Sequence, residues 1–149
     1  DEFSIREALG AVQMMNDIDG LPCGLDSLVA EGGSNFSVGQ RQLLCLARAI
    51  LLNNRILVLD EPTANVDAHT DQLLQKTLKE RFSGATIISV AHRLDTIIDY
   101  DRILVLGDGN VLEFGTPKDL LSRENGYFTS MVQHTGKSMA EVLRSRVMA

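Results

Sequence analysis

The alternation of apolar and polar residues along the chain predicts two helices in the first part of the chain, and strands with further helices after them. Residues 4–15 carry apolar side chains at the spacing of one helix face, and a loop rich in Gly, Pro and Asp follows them. From Leu43 a second apolar stripe repeats every 3.6 residues, and Ser37 stands where an N-cap is expected. A further helix is predicted at about residues 68–82, with Asp67 as its cap. Its predicted inner face consists of Leu73, Leu74, Thr77 and Leu78.

Short apolar runs indicate the strands. The run "ILVL" at residues 56–59 is too short and too uniformly apolar for a surface helix, and a buried parallel strand explains it better. "TIISVA" at residues 86–91 has the same character. The stretches "RILVL" and "VLEFG", joined by "GDGN", are typical of a hairpin. Strands and helices therefore alternate, which predicts an α/β layer fold with its chemistry at the carboxyl ends of the strands.

Composition and charge narrow the class of protein. A chain of 149 residues with 44% hydrophobic side chains suits one domain with a real core. The formal net charge of −6 argues against non-specific attraction to nucleic acid or anionic lipid as the main activity. Cys23 and Cys45 form no CxxC pair, which favours a reduced intracellular chain over a zinc site. No apolar run approaches the ~20 residues of a membrane span, so we expect a soluble chain. Its acidic start without methionine indicates that it begins inside a longer protein.

Polar side chains follow both predicted parallel strands. Asp60 and Glu61 come directly after the first strand, where the first acid can serve a Mg²⁺ ion and the second can orient or deprotonate a water. A solvated exit from the strand explains the same two acids about as well. His92 follows the second strand, where an imidazole near a transferring phosphoryl group would have an electrostatic role, although a lone histidine is more often structural. The sequence thus predicts an acid pair and an imidazole at one sheet edge.

The stretch "NFSVGQRQ", residues 35–42, has the character of an anion-binding helix start. If Ser37 is the N-cap, the backbone N–H groups of Val38, Gly39 and Gln40 are the donors of the first turn, at the end of the helix that attracts anions. The missing side chain of Gly39 would let a phosphate approach the backbone closely. Any serine-capped helix has these properties, so the stretch is a weak signal by itself.

One further stretch looks like a phosphate-binding motif. "HTGKS" at residues 134–138 matches the end of the P-loop pattern, but Met131 stands at the position of its first glycine and the stretch follows a predicted helix instead of a strand. We attribute it to chance. No other Gly-Lys-Ser/Thr occurs in the chain, so the usual phosphate clamp is missing.

Taken together, "NFSVGQRQ", "LLCLARAILLNNRILVLDEPTANVD" and "SVAHRLDTI" strongly resemble the nucleotide-binding domain of ATP-binding cassette (ABC) transporters. The likeness is strongest to the second cassette of the multidrug-resistance-associated subfamily, and it covers residues 1 to about 132. It implies an α/β, P-loop NTPase-like ATPase core with a mostly helical signature subdomain. The core would be partial, because the P-loop, the adenine-stacking aromatic and the glutamine-bearing loop of the family all precede the signature motif.

The resemblance also implies roles for individual residues. In the signature motif, Phe36 and Val38 replace the usual leucine and first glycine. The signature residues, which would contact ATP held by the P-loop of a second cassette, are Ser37, Val38, Gly39 and Gln40.

The other motifs imply the catalytic roles. Asp60 would hold Mg²⁺ through water at the end of the Walker B strand, and Glu61 would be the catalytic base. His92 would contact the γ-phosphate of ATP. Asp67 ends "ANVD", which is similar to the D-loop that crosses the dimer interface.

Carried to the whole chain, the resemblance implies an exporter subunit. Residues 1–53 would be the rear of the helical subdomain, 54–133 the C-terminal half of the catalytic core, and 134–149 a tail. The parent would couple ATP binding and hydrolysis to export of a substrate, at the cytoplasmic face of a membrane. Its partners would be a second nucleotide-binding domain and transmembrane domains, with ATP and Mg²⁺ as ligands and no nucleic acid. The chain alone is expected to lack ATPase activity, because the phosphate clamp is missing.

Two alternatives stay open. The first is a soluble cassette ATPase of DNA repair or translation. Repair cassettes commonly carry a glutamate where Gln40 stands and have long coiled-coil insertions, neither of which occurs here, whereas ribosomal cassettes are harder to separate by motif. The second is a non-catalytic dimerisation fragment that self-associates through an uncovered apolar face. The transported substrate is not encoded in these residues.

Overall fold

The computed structural model describes residues 1–61, 66–91 and 93–148. The chain forms two compact units, Asp1–Val90 and Ala91–Ala149. Helices and strands are mixed in both units, so the predicted α/β class is confirmed. Within the described ranges, every helix is too short or too polar to cross a membrane.

The first unit begins with helices and ends with strands. In chain order its elements are α1 (Glu2–Ala11), α2 (Met15–Asp19), α3 (Val38–Leu52), β1 (Ile56–Asp60), α4 (Ala68–Arg81) and β2 (Thr86–Val90). Short 3₁₀ turns at Gly24–Asp26 and Glu31–Gly33 lie in the loop before α3. Helix α2 corrects the prediction of a plain loop after α1. It forms because Met14 and Ile18 are buried in the core, which the Gly and Asp residues around them could not reveal.

The core of this unit lies between α1, α3 and α4. Helix α3 buries Leu43, Leu46 and Ala47, as its apolar stripe predicts. Helix α4 begins after Asp67, whose carboxylate accepts hydrogen bonds from the first turn. The predicted inner face of α4 is confirmed, because Leu73, Leu74, Thr77 and Leu78 are all buried.

Strands β1 and β2 form a parallel pair, as predicted. The pairing runs from Ile56 opposite Thr86 to Asp60 opposite Val90. The expectation of a fully buried strand is wrong, however, because only alternate residues pack against the core. Parallel strands are normally covered on both sides, and here the described residues of this unit cover one side. The opposite side, called the exposed sheet face below, consists of Ile56, Val58, Ile88 and Val90.

The second unit is built on a hairpin. Its elements are α5 (Leu94–Ile97), β3 (Ile103–Gly107), β4 (Asn110–Gly115), α6 (Pro117–Leu121), α7 (Tyr127–His134) and α8 (Lys137–Met148). Strands β3 and β4 are antiparallel, which confirms the predicted hairpin. Gly107 pairs with Asn110, and the two residues between them, Asp108 and Gly109, both have positive φ, as a tight two-residue hairpin turn requires.

The last residues are more ordered than a polar tail. Helix α8 buries Ala140 and Leu143, and Leu143 is fully buried with Phe128 and Val132 in the core of the second unit. These apolar residues are few among many polar ones, so the helix is hard to recognise in the sequence. The finer division of the chain into residues 1–53, 54–133 and 134–149 stays a prediction.

Candidate functional site

The first turn of α3 carries the residues predicted to contact an anion. Ser37 is the N-cap, with extended backbone geometry at φ −63° and ψ 165°. Its Oγ accepts a hydrogen bond from the N–H of Gln40 at 3.1 Å, and the Oε1 of Gln40 accepts one from the N–H of Ser37 at 2.9 Å. This reciprocal capping box fixes the start of the helix. It also corrects one expectation, because the N–H of Gln40 is bound to Ser37 and is not a donor left for a ligand.

Two donors remain at this helix end. No hydrogen-bond partner is seen for the N–H groups of Val38 and Gly39 among the described residues, and both lie in the first turn, where such groups have no partner within the helix. The Val38 side chain is exposed and Gly39 is partly buried. The helix dipole and these two N–H groups together favour a negatively charged group here.

Side chains from the preceding segment support the turn. The Nε2 of Gln40 donates to the Oδ1 of Asp17 on α2 at 3.1 Å. The guanidinium of Arg41 donates to the carbonyl oxygens of Phe36, at 2.9 Å, and Gly33, at 3.3 Å. Hydrogen bonds from Gln40 and Arg41 therefore connect the first turns of α3 to the segment that precedes it.

Asp67 caps α4 through several hydrogen bonds. Its Oδ1 accepts from the N–H groups of His69 and Thr70, both at 3.0 Å, and its Oδ2 accepts from the hydroxyl of Thr70 at 2.7 Å. The hydroxyl of Thr70 is the largest cause that lowers the pKa of Asp67 below its ordinary value, and the backbone N–H of Thr70 acts in the same direction. Asp67 is thus held as a carboxylate in one orientation.

Thr70 also reaches the first turn of α3. A Cβ placed on Gly39 would lie 3.2 Å from both the Oγ1 and the Cγ2 of Thr70. The structure therefore brings Gly39 and Asp67, two of the predicted site residues, to the same threonine.

Asp60 and Glu61 lie at the carboxyl end of β1, as predicted. Asp60 is the last residue of the strand and is exposed. Glu61 follows with φ at +45°, a region that non-glycine residues rarely occupy, and its N–H donates to the carbonyl oxygen of Val90 at 2.9 Å. This hydrogen bond between the ends of β1 and β2 holds Glu61 in the strained conformation, which is a common feature of functional sites.

The carboxylates at the strand end fit one kind of metal ion. Among the described residues, no three His, Cys, Asp or Glu side chains come together as a protein cage for a metal. Mg²⁺ needs no such cage, because it keeps several waters and binds through one or two carboxylates plus substrate phosphates. The exposed Asp60 suits a Mg²⁺ ion that is held through water.

His92 lies outside the described residues, so its predicted place beside the acids stays a prediction. The predicted D-loop stretch "ANVD" begins at Ala64, and Ala64 and Asn65 also lie outside them. The stretch at residues 134–138 joins α7 to α8 and follows a helix, in agreement with its interpretation as a chance match to a P-loop.

Two residues of the site were missed in the sequence. Asp17 gives no signal, because its bond to Gln40 joins residues 23 positions apart. Thr70 gives a partial signal, since it stands three residues after the cap Asp67, at the spacing of a capping pair. Its approach to Gly39 depends on the packing of α4 near the start of α3, which no local pattern shows.

Comparison with known proteins defines the class of this chain. Residues 4–64 match the family model described as ABC transporter. The chain is similar to ATP-binding cassette sub-family C member 4 of Mus musculus, with 53% identity over 136 residues that cover 91% of this chain and 10% of that protein. It therefore belongs to the ABC transporter family, and the predicted resemblance is confirmed.

Two further relatives place it within the family. Multidrug resistance protein mrp-7 of Caenorhabditis elegans is 51% identical over 128 residues, which are 86% of this chain and 8% of that protein. The structure of a bacterial Atm1-family ABC exporter with ATP bound superposes with a TM-score of 0.82 at 36% identity, over 92% of this chain and 24% of that one. The fold is thus that of part of an ABC ATPase core. The chain spans about a tenth of the length of these curated relatives.

Proposed function

We propose that the chain works as part of the nucleotide-binding domain of an ABC exporter that couples ATP hydrolysis to transport. The observation that carries the proposal is the first turn of α3, where Ser37 is fixed as the cap and the N–H groups of Val38 and Gly39 have no partner seen among the described residues. This turn can bind a phosphate group through its backbone and its dipole.

The chain supplies this turn without a lysine beside it. Phosphoryl transfer depends on positioning and on neutralising charge on the phosphates, for which NTPases of this kind use a P-loop lysine and its amide cradle. The first turn of α3 therefore contacts an ATP whose phosphates are held by a second nucleotide-binding domain. The side chain of Ser37 and the backbone of Gly39 complete that site across the interface, and Asp67 lies at the same interface.

The end of β1 supplies the acids of a second site. Glu61 orients the attacking water and accepts its proton, from a backbone conformation with positive φ. Asp60 would hold Mg²⁺ through water, and that ion would neutralise charge on the phosphates. His92 contacts the γ-phosphate in the same step.

Several observations support export over a soluble ATPase. The relatives described above are named as a multidrug resistance protein, a member of cassette sub-family C and an Atm1-family exporter. The chain carries Gln40 in place of a glutamate and has no long helical insertion among its described residues. Its place would be the cytoplasmic face of a membrane, next to transmembrane domains that determine the exported substrate.

Mutation of the α3 cap tests this proposal. In a full-length transporter that contains these residues, Ser37→Ala is expected to reduce ATP hydrolysis, and the matched variant Ser34→Ala in the preceding loop is expected to leave it unchanged. A thermal denaturation curve measured beside the assay separates loss of the site from loss of the fold. Wild-type hydrolysis by a folded Ser37→Ala protein would rule out a role for the Ser37 side chain in the site.

Titration of the 149-residue chain with ATP and Mg²⁺ tests whether the ATP site is shared between two nucleotide-binding domains. The chain by itself is expected to bind ATP weakly and to release no phosphate. Micromolar affinity with steady hydrolysis would show that the chain holds a complete site, contrary to the proposal.

A non-catalytic dimerisation fragment is the second candidate. The exposed sheet face favours it, because four apolar side chains on a paired sheet form a surface that another protein surface can cover.

A further inference from the structure

Thr70 lies beside two segments of the first unit that have a role in the proposed function. Its hydroxyl donates to the Oδ2 of Asp67 at 2.7 Å, within the first turn of α4. Its Oγ1 and Cγ2 both lie 3.2 Å from the position that a Cβ on Gly39 would occupy. Thr70 itself is buried, with 9% of its surface exposed, whereas Asp67 is exposed.

We propose that Thr70 is a positioning residue that couples the first turn of α3 to Asp67, so that the two segments keep one relative geometry. The inference rests on the proposed function, because that proposal gives Gly39 and Asp67 their roles at a nucleotide site. Thr70 touches neither a nucleotide nor a reacting atom in this account. It acts through Gly39 and Asp67, which are the residues proposed to lie at the nucleotide site.

The coupling follows from the shape of threonine. Both Oγ1 and Cγ2 are attached to the same Cβ, so one χ1 rotation moves them together. The hydrogen bond to Asp67 selects one χ1 rotamer, and that rotamer determines where the methyl group faces Gly39. A change of the Asp67 carboxylate that broke the bond would release the rotamer and alter the contact with α3.

The close approach explains why glycine suits position 39. A Cβ added to Gly39 would lie 3.2 Å from Thr70, which is tighter than an ordinary van der Waals contact, so a larger residue requires Thr70 or the helix to move slightly. Gly39 therefore allows α4 to lie directly against the turn that presents the N–H groups. Serine at position 70 would keep the hydroxyl and lose the methyl group, whereas valine would keep the shape and lose the donor.

A double-mutant cycle on this chain tests the contact. Gly39→Ala is expected to lower the denaturant midpoint in the wild-type background. In the Thr70→Ala background the two atoms that the added methyl group would meet are gone. The same substitution is then expected to cost little or to raise the midpoint, because alanine favours a helix over glycine. Equal losses in the two backgrounds would overturn the proposed contact.

Carboxyl and amide NMR test the coupling itself. Thr70→Val is expected to raise the pKa of Asp67 towards its ordinary value, while Thr70→Ser keeps it low. In the wild type the amide resonance of Gly39 is expected to follow the titration of Asp67, and in Thr70→Val it is expected to lose that response. Thr96→Val, which removes a hydroxyl that donates to the carbonyl of Arg93, is the matched control and should change neither signal.

The outcomes separate this inference from the proposed function. An unchanged pKa of Asp67 in Thr70→Val, or a Gly39 amide that ignores Asp67 in the wild type, overturns the coupling. These readouts need no nucleotide, so they stand whether or not the chain belongs to an ATP site. Normal hydrolysis by Ser37→Ala in the full-length transporter would instead overturn the proposed role of Ser37 at a nucleotide site and leave the coupling intact.

Discussion

Ser37 and Gln40 bind each other twice, each side chain accepting a hydrogen bond from the other residue's backbone N–H. The pair closes the start of α3 and leaves two N–H groups of the first turn for a ligand. Because Gln40 also donates to Asp17, the same side chain joins the helix start to α2. The turn is thus fixed without a ligand, which would reduce the cost of ordering it on binding.

Loss of the cap should destabilise the chain measurably. Ser37→Ala removes the acceptor for the N–H of Gln40, and the free energy of unfolding is expected to fall by about 1 kcal/mol. Chemical denaturation followed by far-UV circular dichroism measures the difference. Ser34→Ala, in the loop before the helix, is the matched control and should change stability by less than about 0.5 kcal/mol. Equal effects of the two variants would show that the capping box contributes nothing.

The Asp67 cap predicts a pH dependence. Its pKa is lower in the folded chain than the ordinary value of 3.8, chiefly because the Thr70 hydroxyl donates to it. Its stabilising effect is therefore full above the unfolded pKa and is lost as the pH falls through the lower folded pKa. The stability difference between wild type and Asp67→Asn should be constant at neutral pH and shrink below about pH 4.

Denaturation curves at a series of pH values check this difference. Asp101→Asn, at an exposed aspartate that caps no helix, is the control and should give a small difference at every pH. A difference between wild type and Asp67→Asn that grew towards low pH would contradict the assignment.

A buried acid stabilises the second unit. Glu113 has 7% of its surface exposed, and its Oε2 accepts a hydrogen bond from the N–H of Phe128 at 2.7 Å, while Oε1 lies 3.5 Å from the Nη1 of Arg123. Glu113→Ala leaves the start of α7 without its acceptor, and we expect a loss of about 2 to 3 kcal/mol. Glu113→Gln keeps an acceptor and should lose less.

Tyrosine fluorescence provides the measurement. Both tyrosines of the chain, Tyr100 and Tyr127, lie in the second unit, and the chain has no tryptophan, so their signal reports on this unit. Glu124→Ala, at an exposed acid in the same region, is the matched control. A Glu113→Ala protein as stable as this control would show that Glu113 does not stabilise the second unit.

The exposed sheet face should make the chain self-associate. Val58 is 67% exposed and Ile88, its partner across the strands, is 54% exposed. Apolar surfaces of this kind associate because burial removes them from water. Light scattering over a range of concentrations is expected to show an increase of mass that Val58→Lys reduces.

A change elsewhere on the surface is the control for this prediction. Leu28 is 92% exposed in the loop before α3, and Leu28→Lys should not alter association. A strictly monomeric wild type at high concentration would contradict the prediction.

Local sequence patterns predicted the positions of helices and strands better than they predicted which side chains are buried. The start of α3 at Ser37, the cap of α4 at Asp67 and the β3–β4 hairpin follow from residues within a few positions of each other. The covering of β1 does not, because the run of residues 56–59 reads the same whether one or both faces are packed. The four apolar residues 56–59 predicted a buried strand, but half of their side chains are exposed.

For the candidate site, too, local patterns predicted the positions of residues but not the contacts between distant ones. The acids at the end of β1 could be placed from the strand pattern, since the chain leaves a strand at its carboxyl end. The bond from Gln40 to Asp17 and the approach of Thr70 to Gly39 join residues far apart in sequence, and only tertiary packing determines them. The positive φ of Glu61 also depends on the hydrogen bond to Val90, which comes from another strand.

Glu61 is the residue proposed to activate the water in an ATP site. The most direct measurement is steady-state ATP hydrolysis by a full-length transporter that contains these residues, compared with its Glu61→Gln variant and with Glu80→Gln on the exposed side of α4 as the control. Glu61→Gln is expected to abolish hydrolysis while bound nucleotide is retained, and Glu80→Gln is expected to behave as the wild type. Continued turnover by Glu61→Gln would contradict this role.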